Sequence, residues 1–130
     1  MTEKEIDITN YIKKHLKDIE IEERKTDKLY KKLNKKVRLT AKKIGKKYGL
    51  NKIYLFGSLI NRDSFHLKSD IDLGVKGIDS KDYLKLWGEF EQKLKHSFDL
   101  VNMERCNESL KKHIENEGEI IYDSQKEESQ

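Results

Sequence analysis

The apolar positions of the first fifty residues recur at helical intervals. Ile8, Ile12, Leu16 (or His15) and Ile19 lie about one turn apart, and Leu29, Leu33, Val37, Ala41, Ile44 and Tyr48 repeat the pattern. A stripe recurring every third or fourth residue predicts amphipathic helices. Thr2 and Glu5 have the spacing of a capping box, so a first helix is expected over about 3–20, with the charged segment 20–25 able to carry it on. Thr26 offers an N-cap for a second helix. Gly49 stands where a glycine closes such a helix.

After Leu50 the period changes. Residues 53–56 are a short run of β-branched and aromatic side chains, which predicts a buried strand ending at Gly57-Ser58. A short helix over 58–62 and a loop to about 68 should follow. Ile71, Leu73 and Val75 alternate as a strand over 70–76 would require. Ser80 is placed to cap a helix over 81–96 whose inner face is Tyr83, Trp87 (or Leu86), Phe90 and Leu94, with Trp87 in the core. A third strand is expected over 98–102. Asn107 should cap a shorter helix carrying Leu110 and Ile114 inward and ending at Gly118, before a last strand over 120–122. Helices alternating with short strands give an α+β class, a small mixed sheet backed by helices, with an N-terminal helical extension. The expected division is 1–34 for the extension, 35–122 for the core domain and 123–130 for a flexible polar tail.

Composition narrows the class. A chain of 130 residues makes one domain with a modest core. Charged residues are 40% and apolar ones 35%, so the few apolar positions carry most of the fold information. One cysteine, Cys106, allows no internal disulfide, which suits a reducing compartment. The charged N-terminus lacks a signal-peptide pattern, and the longest uncharged run, 53–61, is too short to span a bilayer. A soluble, cytoplasmic protein without membrane contact is expected.

Charge is unevenly spread. Residues 1–50 hold sixteen Lys/Arg against eight Asp/Glu, and residues 51–130 hold twelve against sixteen, so +8 and −4 sum to the net +4. Residues 28–47 contain ten Lys/Arg and no acid. These lie off the apolar stripe, so they form either a solvated helix face or a surface for nucleic acid or an acidic protein. Aromatic residues are too sparse there for a base-stacking platform.

The chemistry gathers at 57–72. In a strand, positions i and i+2 face one side, so Asp70 and Asp72 project together, about 7 Å apart at the backbone, while Ile71 turns into the core. Two such carboxylates repel unless a cation lies between them, and Mg²⁺ takes a few carboxylate oxygens together with water and phosphate oxygens. Gly57 allows close backbone approach to a ligand, and Ser58 offers a hydroxyl beside free N–H groups, an anion seat. A phosphate seat opposite a metal seat is a nucleotide-handling site. Arg62 and Lys68 lie near enough in sequence to meet triphosphate charge. His15, His66, His96 and His113 have no metal-ligand spacing and read as surface residues.

Leu55-Phe56-Gly57-Ser58 followed by Ser69-Asp70-Ile71-Asp72-Leu73 resembles the signature of polymerase-β-type nucleotidyltransferases, in their minimal single-domain branch. Eleven residues separate Ser58 from Asp70, where that branch has about ten, and Leu59-Ile60-Asn61 stands where it usually has Ala-Arg-Gly. The resemblance implies a palm-like core in which Asp70, Asp72 and a third carboxylate, Asp99, hold two Mg²⁺ ions and catalyse transfer. Gly57 and Ser58, with Arg62 and Lys68 beside them, would bind the nucleotide. It further implies ATP as substrate, AMP as the group moved, and a partner HEPN toxin whose hydroxyl accepts it, the chain acting as antitoxin. Two other readings stand beside this one. One is a non-catalytic module that neutralises a partner by contact. The other is a transferase directed to RNA by the basic helix. Residues 1–34 could equally support self-association.

Overall fold

The computed structural model describes residues 3–128, with side chains over 8–126. The expected Thr2 cap lies outside them. The two expected N-terminal helices are one: α1 spans Glu3–Tyr48 without a break, a rod of about 69 Å. No proline or glycine interrupts it before Gly45, and Arg24 holds Glu20 one turn back at 2.6 Å. Thr26 does not cap. Its hydroxyl donates to the Glu22 carbonyl at 2.7 Å, a bond within the helix that leaves the ladder running. The expected division at residue 34 therefore falls inside α1.

Four strands form one mixed sheet. They are β1 (Lys52–Phe56), β2 (Ile71–Lys76), β3 (Phe98–Asn102) and β4 (Glu119–Asp123), in the order β3-β2-β1-β4. β1 pairs antiparallel with β2 and with β4, whereas β2 and β3 run parallel. The parallel pair needs a crossover, supplied by α2 (Tyr83–Leu94). The other helices are α3 (Glu108–Glu117) and α4 (Ser124–Glu128).

Alternation along the strands divides the sheet's two faces. Ile53, Leu55, Leu73, Val75 and Leu100 pack with Leu33, Val37, Ala41 and Ile44 of α1 and with Leu86, Phe90 and Leu94 of α2. Each such side chain contributes about 1.5–3 kcal/mol when fully buried. Tyr54 points the other way, into a smaller cluster with Met103 and Ile114 of α3, joined by Phe56, Val101 and Leu110. That second face is the thinly covered one.

Several local expectations change. Leu86, not Trp87, completes the buried face of α2, because positions 86, 90 and 94 are each one turn apart. Trp87 is 38% exposed and lies against Phe98, ring centres 5.0 Å apart. Ser80 opens a 3-10 turn ahead of α2, and its hydroxyl accepts from Arg105 instead of capping the helix. Asn107 does cap α3, accepting from the Leu110 amide at 2.7 Å. Asp123, expected to open the polar tail, pairs in β4, and its side chain accepts from the Gln125 amide at the start of α4. From Ile8 to Ile19 the apolar stripe of α1 continues beyond the domain and is exposed. Among the described residues, no helix is long and apolar enough to cross a membrane.

Candidate active site

Asp72, the second residue of β2, lies on the thinly covered face. In the sheet it stands opposite Phe56 of β1 on one side and level with Asp99 of β3 on the other. Neighbouring strands lie about 4.8 Å apart, so Asp72 and Asp99 are lateral neighbours pointing the same way. Asp70 sits two residues before Asp72, just ahead of β2. Burial holds the Asp72 carboxyl above the usual range, and the charges of Asp99 and then Asp70 push it the same way.

The Gly57 turn closes this face from β1. Gly57 has φ +76, the left-handed region that favours glycine. A β-carbon there would stand 2.1 Å from Asp72 Oδ2, so no larger residue fits without moving the carboxylate. The expected helix over 58–62 is instead two short 3-10 turns, Gly57–Ile60 and Arg62–Ser64, joined at Asn61. Leu59 is buried beneath the first and anchors it. Ser58 is half-buried within that turn.

Asp70 is positioned by a segment that carries no signal in the sequence. The Ser97 hydroxyl donates to Asp70 Oδ1. The Ser97 carbonyl accepts from the Ile71 amide at 3.0 Å. His96 Nε2 donates to the Ser69 carbonyl at 2.8 Å. Residues 96–97, in the connection from α2 to β3, thus grip the chain on both sides of Asp70. No periodicity or motif marks them, because the pairing depends on the parallel alignment of β2 with β3. Tyr83 is a second such residue. Its hydroxyl donates to the Leu100 carbonyl at 2.7 Å, and burial, followed by the charge of Asp99, raises its pKa.

Arg62 is placed elsewhere. Its guanidinium pairs with Glu23 at 2.6 Å and reaches Asp27 at 3.4 Å, both on α1. The geometry therefore engages it as a clamp between the 3-10 turn and the long helix. Lys68 is exposed, two residues before Asp70.

The donor set suits a hard, oxygen-preferring divalent cation. Three acids share one face, and an opposite charge would relieve the repulsion that raises Asp72. They do not form a closed cage. Among the described residues, no three His, Cys, Asp or Glu side chains are gathered closely enough to hold an ion by themselves. An open arrangement of this kind leaves coordination positions for water and substrate oxygens, which Mg²⁺ prefers.

Comparison with known proteins follows the same lines. The family model described as "Polymerase beta, Nucleotidyltransferase" matches residues 40–127. A chain from the crystal structure of a toxin–antitoxin with AMP-PNP is 24% identical, with a TM-score of 0.56 over 71% of this chain and 77% of that one. A chain from a mutant of the toxin–antitoxin pair MntA–HpeT is 23% identical, with a TM-score of 0.53 over 67% and 73%. At this identity the likeness shows the fold. No curated protein matches the sequence.

Proposed function

This chain belongs to the polymerase beta nucleotidyltransferase family, and from that premise we propose that it moves AMP from ATP onto a hydroxyl of a partner protein. The observation that carries the reading is Asp72, level with Asp99 and pressed against the Gly57 backbone, with Asp70 beside it. The backbone of Gly57 and the Ser58 hydroxyl cradle the triphosphate, and Lys68 adds positive charge at the rim. Asp70, Asp72 and Asp99 would hold Mg²⁺, which when bound neutralises phosphate charge and polarises the reacting oxygens. Asp99, on the outer strand of the three acids, takes the proton of the attacking hydroxyl. The new bond joins that oxygen to the α-phosphorus, the bond to the β-phosphate bridge oxygen breaks, and pyrophosphate leaves. Ser97 keeps Asp70 oriented throughout.

The partner is a toxin and the chain its antitoxin. Support comes from the two structural neighbours, both parts of toxin–antitoxin pairs, one of them with AMP-PNP. The exposed apolar stripe of α1 between Ile8 and Ile19 supplies contact surface beyond the catalytic domain. Incubating the chain with α-labelled ATP, Mg²⁺ and the protein encoded by the adjacent reading frame tests the proposal. Label on the partner that disappears with Asp70→Asn is expected. Neutralisation of the partner by Asp70→Asn as effective as by the wild type, without label, would replace it with inhibition by contact alone.

A further inference from the structure

A second surface, separate from the acids, lies on the opposite face of the sheet. Lys36 and Lys43 of α1 and Lys93 and Lys95 of α2 and its C-cap line an open groove of about 340 Å³, with Leu39 and Thr40 between them. Among the described residues, no acidic side chain lines it. Most ion pairs of the basic segment are made by other residues: Lys31 with Asp27, Arg38 with Glu119, and Lys47 with Glu89. Of the acids of α2, Glu89 pairs with Lys47 and also feels the charge of Lys93, and Glu91 lines an adjoining cavity that shares Lys95, so the lysines outnumber the acids near the seam. Positive charge therefore accumulates along the seam between two helices, and two separate stretches of sequence contribute to it.

We infer that this seam is a docking surface for the phosphate backbone of a nucleic acid, read by charge and not by base sequence. Lys32, Lys36 and Lys43 recur along α1 over eleven residues, about 16 Å of helix, so the cations form a row, as a strand of phosphates requires. Lysine acts as a point charge toward phosphate. Protein–protein interfaces are depleted in lysine and anchored by aromatic residues and arginine, and the groove lining has neither. That favours a polynucleotide over an acidic protein. The lack of an aromatic platform removes base stacking and with it sequence preference. Leu39, 53% exposed, supplies an apolar floor for sugar contacts. Because α1 and α2 cover the sheet face away from Asp72, a bound strand leaves the acids accessible. The inference does not depend on the transfer reaction.

Fluorescence anisotropy with labelled mixed-sequence 20-mers tests it, using single-stranded RNA, single-stranded DNA and duplex DNA across a salt series. The expected result is binding whose log K falls against log[salt] with a slope of about −3 for the duplex. The combined variant Lys36→Gln, Lys43→Gln, Lys93→Gln, Lys95→Gln should bind at least tenfold more weakly with a shallower slope. The matching Lys→Arg variant should retain affinity, and the two Gln pairs made separately should each lose part of the slope. The oligomer bound most tightly identifies which nucleic acid supplies the phosphates. Absence of binding at 50 mM salt, or undiminished binding by the Gln variant, would overturn the inference. Equal competition by polyglutamate of the same charge would overturn it in favour of an acidic protein.

Discussion

Gly57 and Asp72 are in such close register that a β-carbon on the glycine would stand 2.1 Å from the carboxylate oxygen Oδ2. The turn after β1 and the acid on β2 are therefore one unit. Gly57→Ala should displace Asp72 and strain a backbone at φ +76, costing about 1–3 kcal/mol of stability. Nucleotide transfer should fall by about a hundredfold, since a small misplacement of a positioned group costs that much. Thermal unfolding and a transfer assay on the same preparation separate the two effects.

Asp72 is destabilising when ionised. Its folded pKa is raised above the ordinary value of 3.8 by burial, then by Asp99 and Asp70. The folded state therefore binds the proton more tightly than the unfolded state, and stability declines as pH rises from about 3.8 through the folded pKa. Asp72→Asn should thus raise Tm by a few degrees at neutral pH. Mg²⁺ should raise the Tm of the wild type by mass action and leave the Asn variant nearly unmoved. Calorimetric scans with and without the ion read both effects.

Glu119 behaves in the opposite sense. Arg38 forks onto it at 3.0 and 2.6 Å and holds its carboxyl below the usual 4.5, with burial opposing. Its contribution is present above 4.5 and is lost as pH falls through the folded pKa. Both side chains are partly exposed, so Glu119→Gln should cost only about 0.5–1 kcal/mol. Denaturant titrations should show a larger difference at neutral pH than at pH 3.

Helix propensity predicts the wrong sign at Gly45. Alanine is ordinarily favoured over glycine inside a helix by about 1 kcal/mol. Here a β-carbon would lie 2.6 Å from the Tyr122 ring of β4, inside the core. Gly45→Ala should therefore destabilise by about 1–3 kcal/mol, the usual cost of overpacking. Combining it with Tyr122→Leu should restore part of the loss.

Gly45 shows how much of this fold a chain can announce and how much only packing decides. The strands bearing Asp72 and Asp99 are legible because a chain so poor in apolar residues rarely alternates them by chance. The continuity of α1 is not, because Thr26 and the charged run before it look the same whether a helix starts there or passes through. Arg62 is a related case. Its nearness in sequence to Ser58 points to the phosphate seat, while Glu23 and Asp27, thirty-five or more residues earlier, hold the guanidinium. Ser97 and His96 are silent in the sequence because only the parallel pairing of β2 with β3 brings them to Asp70.

Ser97 yields a sharper test of positioning. Ser97→Ala removes the hydroxyl that orients Asp70 but leaves the exposed backbone site intact, so stability should change by less than about 1 kcal/mol. Affinity for Mg²⁺ with ATP should fall several-fold, and Ser97→Thr should recover most of it. Unchanged affinity in Ser97→Ala would remove Ser97 from the site.

In the proposed reaction the acids and the Gly57 turn would together seat a metal-bound triphosphate, and titration calorimetry of ATP with Mg²⁺ measures that seat without any acceptor. The wild type should bind ATP in a strictly Mg²⁺-dependent manner, and the folded double variant Asp70→Asn, Asp72→Asn should bind at least tenfold more weakly. Equal affinity in the two proteins, or binding indifferent to Mg²⁺, would contradict the account.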